Sequence, residues 1–195
     1  MKLADKIRLP IDKEQHPAFI RHAWVYSLTI VLWAVLHDFI LISIEPCHFT
    51  EFHSRLYPFE NHVLLAIEYA TVATFGLGMM FGIITFGICQ LGKRYEPLDF
   101  KFAYKRFFIL LFNIETLSLL AGFINSKRIQ NGQEYAFYPG RWYPDTSTGI
   151  AFTQTANITA YLLAAVGSAV FFIYLLGKRI RSTAIQEPQK LHSNS

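Results

Sequence analysis

Charge is what this sequence has least of. Asp, Glu, Lys and Arg make up 16% of its 195 residues, against about 25% in an ordinary soluble domain. The few charges are also clustered. They leave four apolar runs, at 24–44, 63–91, 107–124 and 150–176, each near the ~20 residues that cross ~30 Å of hydrocarbon. A long helix in a soluble domain needs a charged face, and none of these runs has one. The expected fold class is therefore all-α, a polytopic membrane four-helix bundle over residues 24–181. Residues 1–23 form an N-terminal segment, and the polar stretch 182–195 reads as a disordered tail.

Other absences narrow the function. The first run is too long for the apolar part of a cleaved signal peptide and is followed by bulky, polar "IEPCHFTEF". Cysteine occurs twice, and the runs place Cys47 and Cys89 at opposite faces of the bilayer. That is far beyond the ~6 Å Cα separation of a disulfide. No CxxC spacing is present to support thiol redox chemistry. His48 and His53 flank Glu51 without the HExxH spacing of a zinc helix, and His37 alone among the histidines lies well inside a run. No metal and no cofactor is implied. Nor is there a basic stripe that would read nucleic acid.

What basic charge exists is distributed by side. Lys2, Lys6, Arg8, Lys13 and Arg21 precede the first run. Lys93, Arg94, Lys101, Lys105 and Arg106 lie between the second and third, and Lys178, Arg179, Arg181 and Lys190 follow the fourth. The remaining two loops share Arg55, Lys127, Arg128 and Arg141. The positive-inside rule then puts the N and C termini in the cytoplasm. The expected location is an integral membrane, the endoplasmic reticulum in a eukaryote or the inner membrane in a bacterium.

Two features bear on packing and access. Gly78 and Gly82 are four apart on one face of the second run, as are Ala164 with Ser168 and Ala165 with Ala169 in the fourth. Such pairs let helices approach closely, within the bundle or between protomers. The loop "NGQEYAFYPGRWYPDTSTG" gathers five aromatic residues around a Pro-Gly turn. It reads as an interfacial aromatic belt, or as a lid that brings Tyr138 and Trp142 over an opening between helices.

The most informative pattern is the depth of the polar residues. At ~1.5 Å per residue, His37 and Asp38 lie roughly 10 Å below the outer end of the first run. Glu68 lies ~8 Å, Glu115 ~16 Å and Asn157 ~10 Å below the corresponding ends of theirs. Every run thus brings a polar side chain into the outer half of the bilayer. An ionisable group at mid-membrane costs at least ~2.5 kcal/mol, so it faces the bundle interior and has a partner or a function. Thr71 accompanies Glu68 at i+3, and Tyr161 accompanies Asn157 at i+4. One reading is a hydrogen-bond cluster that only holds helices together, in a tetraspan scaffold or accessory subunit with a membrane-complex partner.

The sharper reading is a catalytic pocket in which Glu68, Glu115, His37 and Asp38 supply acid–base groups. Thr71, Asn157, Tyr161, Tyr138 and Trp142 would line it. A protonated carboxyl group can add a proton to a carbon–carbon double bond while a second group removes one next door. Aromatic faces would steady the cation between the two steps. The substrate would be a lipophilic small molecule, terpenoid or sterol-like, entering from the lipid bilayer. A third reading uses the same carboxylates as ion or proton sites in a small transporter.

His37 in the first run and Glu45 just past it, Glu68-x-x-Thr71 followed by Gly76 in the second, and Asn157 in the last form a set that resembles the emopamil-binding-protein family. That family's EXPERA module is a four-helix membrane bundle. In its isomerases the histidine and glutamate stand four apart, whereas His37 and Glu45 are eight apart. The resemblance implies sterol isomerase chemistry or ligand binding.

Overall fold

A computed structural model describes residues 11–51, 57, 60–92, 95–134 and 147–192, with side chains in the last segment to residue 183. Every regular element among the described residues is a helix, in the order α1 (His16–Ile44), α2 (Cys47–Thr50), α3 (His62–Gln90), α4 (Phe100–Gln130) and α5 (Thr148–His192). A 3-10 turn at Lys13–Gln15 precedes α1. Among the described residues α1, α3, α4 and α5 are long and apolar enough to cross a membrane. No more than a third of each apolar stretch is buried within the protein. The rest of that apolar surface faces outward, as a bilayer solvent requires. The protein is a multi-pass membrane protein.

Three of the long helices begin where a side chain accepts their unpaired amides. Asn61 accepts from the amides of Val63 and Leu64 at the start of α3. Asp99 accepts from Phe102 at the start of α4, and Ser147 from Ile150 at the start of α5. α4 outruns its apolar stretch at both ends, because Lys101, Lys105 and Arg106 can ride on helix that has already left the hydrocarbon. α5 continues to His192, through the stretch expected to be a disordered tail. Ala184, Gln186, Glu187 and Gln189 there are good helix formers.

The bundle is built from two tight pairs. α1 lies along α3, and α4 lies along α5, with far less contact between the pairs. Glycine permits the first approach. A Cβ on Gly78 would sit 2.7 Å from Ser27 Cα, and one on Gly82 would collide with the His22 carbonyl and Ala23. In the second pair Gly122 faces the Phe152 carbonyl, 2.8 Å from where its Cβ would be. Of the small residues of α5, Ala164 packs against the aromatic core and with Ala165 and Ser168 lines a cavity, while Ala169 is exposed.

The space between the pairs is filled unequally. On the side of the termini an aromatic core of Tyr26, Phe81, Phe107 and Phe171 closes it. The α3–α4 connection is locked there by Arg179 of α5, which is 3% exposed. Its guanidinium donates to the carbonyls of Ile88, Leu91, Gly92, Tyr95 and Glu96 at 2.6–3.3 Å. Five donors meet five acceptors at the negative end of α3, which is favourable for a cation on both counts. At the opposite end Leu41, Ile42, Phe49, Leu65 and Ala156 make a second, smaller core.

Candidate functional site

α1 carries His37 into the interior because that face of the helix is turned toward α4 and α5. His37 is 3% exposed, and its Nδ1 donates to Glu115 Oε2 at 3.0 Å and Oε1 at 3.2 Å. This bond joins one helix pair to the other. Trp33, one turn earlier on α1, stacks on the imidazole with centroids 5.6 Å apart. A neutral imidazole that gives its Nδ1–H to a carboxylate has its lone pair on Nε2. Ser118, at i+3 from Glu115, donates instead to the Glu115 backbone carbonyl at 3.0 Å.

Beside this pair lies a cavity of about 390 Å³, walled by α3 and α5 with α1 behind them. Most of its lining is apolar. The polar groups that reach it are His37, Asp38, Thr74, Asn157, Tyr161 and Ser168. Thr74 spends its hydroxyl on the Ala70 carbonyl at 2.6 Å. Asp38 is half-buried and makes no hydrogen bond to a described residue. Leu77 and Met80 on the rim are 63% and 59% exposed, so the cavity is reached from the hydrocarbon side. Asn157 closes its outer end, with Nδ2 donating to His48 Nε2 at 3.4 Å.

The structure thus brings together His37, Asp38, Asn157 and Tyr161 at the cavity, with Glu115 held against His37. Glu68 is buried, but it accepts from the Tyr57 amide at 2.9 Å and does not line the cavity. It ties the chain at Tyr57 to α3. Thr71 is exposed on the outer surface of α3; the neighbouring hydroxyl that does reach the cavity is Thr74, one turn on. Glu45 accepts from Ser147 Oγ at 3.3 Å, joining α1 to the start of α5. Tyr138 and Trp142 lie outside the described residues. Among the described residues no three His, Cys, Asp or Glu side chains converge as metal ligands.

Several contributors escape a reading of the sequence. Trp33 sits four before His37, a helical spacing that points to it. His48 reads as a loop residue because the apolar run ends before Pro46, yet it is 1% exposed within α2. Asn125 stands one residue past the third run and donates to Thr155 Oγ1 at 2.7 Å, cross-linking α4 to α5.

Four buried polar atoms on α1 have no hydrogen-bond partner among the described residues: His22 Nε2, Tyr26 Oη, Trp33 Nε1 and His37 Nε2. Each group left dry costs about 1–3 kcal/mol, so four together would rival the whole ~5–15 kcal/mol stability of a typical protein. Buried polar groups are satisfied by internal water where the site has room for it.

No family model matches the chain, and neither a curated protein nor a solved structure does.

Proposed function

We propose that the protein is a small membrane enzyme that binds a lipophilic molecule in the cavity between α3 and α5 and isomerises it by acid–base chemistry. The observation that carries this reading is the meeting of Asp38 and the His37–Glu115 pair with an apolar, bilayer-accessible cavity. In its protonated form Asp38 adds its proton to one carbon of a double bond. His37 takes a proton from a neighbouring carbon, and the double bond moves by one position. A proton then returns from His37 to Asp38, so nothing is oxidised or reduced. Trp33, Phe81, Tyr161 and Phe172 offer ring faces to the cation between the two transfers. Asn157 orients a polar end of the substrate, and Glu115 fixes the imidazole. The resemblance to the emopamil-binding-protein family points toward a terpenoid or sterol-like skeleton. The basic residues of the tails and the α3–α4 loop support cytoplasmic termini.

A scaffold reading has one observation in its favour, since His37–Glu115 spans the two helix pairs and could serve only to join them. Turnover separates the two. Protein in lipid nanodiscs is incubated in D₂O with unsaturated terpenoids and sterols, and products are read by chromatography and deuterium content. The enzyme reading expects a shifted double bond carrying deuterium, lost by 10²-fold or more in Asp38→Asn. Unchanged substrates throughout, with a well-folded protein, would favour the scaffold.

A further inference from the structure

The unpartnered groups of α1 share one side of the helix. His22, Tyr26, Thr29, Trp33 and His37 follow at steps of four, three, four and four, which keeps them on a single face. From His22 to His37 they rise about 22 Å, most of the ~30 Å hydrocarbon thickness. We infer that this face carries a proton path through the membrane, in which buried water links titratable side chains from the side of the termini to the opposite side.

The path can be followed group by group. At the end near the termini His22 is fully buried, and its Nδ1 donates to the Ala18 carbonyl at 2.7 Å, leaving Nε2 as the acceptor. Phe86 of α3 and Phe100 of α4 pack on its ring, and the nearest charge is Arg21, stacked over Phe100. One turn on, Tyr26 is buried in the cluster that holds Cys89, with Tyr104 packed against its ring. Thr29 donates to the Val25 carbonyl and so accepts from the Tyr104 hydroxyl, at 2.9 Å. Beyond Trp33 the path reaches His37, which faces Glu115 of α4 and neighbours Asp38. It leaves through the cavity shared with Asn157, whose partner His48 stands at the far end of the bundle.

Tyr26 is the narrow point. Phe107 and Phe81 close on it with centroids 4.8 and 5.5 Å away, so its hydroxyl stands in series before the Tyr104–Thr29 hydroxyl pair. A proton passes there by arriving on the hydroxyl oxygen as the original hydroxyl proton leaves. Removing that oxygen breaks the path without adding volume.

The test uses the full chain in liposomes that enclose a pH-sensitive dye, with a potassium ionophore to release the counter-charge. An external acid step should acidify the lumen faster than in protein-free liposomes. Tyr26→Phe should slow the flux roughly tenfold or more, as expected on losing a proton-transfer group. Val72→Ala, on the exposed face of α3, should leave it unchanged. If Tyr26→Phe does not reconstitute, Thr29→Val reads the neighbouring step with the same expectation. Wild-type protein that acidifies no faster than empty liposomes overturns the inference, as does a Tyr26→Phe flux equal to wild type.

Discussion

His37 and Glu115 are 78 positions apart in sequence and meet at 3.0 Å in the interior of the bundle. Each stands on a different helix pair, so their bond couples two halves that otherwise touch sparingly. Glu115→Leu should lower stability by about 1–3 kcal/mol, the cost of leaving a buried partner unmatched. Glu115→Gln keeps an acceptor and should cost less. A double-mutant cycle with His37→Leu should return a coupling of ~0.5–3 kcal/mol. Additive losses, measured by denaturation in detergent micelles, would show that the pair does not join the halves.

Glycines of α3 should sort by what faces them. Gly82→Ala drives a methyl group into the His22 backbone and Ala23, an overpacking that costs about 1–3 kcal/mol. A Cβ added at Gly76 would meet no atom within 4 Å, so Gly76→Ala should be neutral or should gain up to ~1 kcal/mol of helix propensity. Thermal unfolding of the two variants gives the comparison directly. Equal effects would contradict the packing of α1 on α3.

Arg179 predicts an asymmetry between two basic residues. Lysine keeps the charge but has three donors in place of a planar fork, so it cannot meet all five carbonyls. Arg179→Lys should lower the melting temperature and speed amide exchange around Leu91 and Leu98. Lys178→Arg, a change that keeps the charge next door, should do neither. An Arg179→Lys protein that melts and exchanges like wild type would mean that the charge alone holds this end.

Sidedness follows from the basic residues. In a background with Cys47→Ser and Cys89→Ala, single cysteines at Ser126 and Ser182 should react with an impermeant thiol reagent from opposite sides. The Ser182 cysteine should react from the cytoplasm. Reaction of both from one side would mean that α5 does not cross the membrane between them.

Much of the architecture was legible because the bilayer imposes a length on each apolar run, and α1, α3, α4 and α5 each contain one. Gly78 and Gly82 marked a close-packing face through their spacing, but not its partner, which the structure shows to be α1. The site was legible only in part. Depth put His37 and Asn157 at a common level, but it carries no information about azimuth, and azimuth separates Glu68 from Glu115. Thr71 and Thr74 are equally good candidates by composition, yet about 60° of helical turn leaves one outside and the other in the cavity. Arg179 shows the same limit from the other side. Its charge reads as the mark of a cytoplasmic end, while its burial against the end of α3 depends on a tertiary contact 83–91 residues away.

The central claim is that the cavity between α3 and α5 holds a lipophilic molecule. A diazirine-bearing sterol probe in nanodiscs, photolysed and mapped by peptide mass spectrometry, tests it most directly. The account predicts saturable labelling concentrated at Leu77, Met80 and Tyr161, and its loss in Ala164→Trp, which fills the cavity wall. Labelling spread evenly over the exposed faces of all four long helices, indifferent to Ala164→Trp, would contradict it.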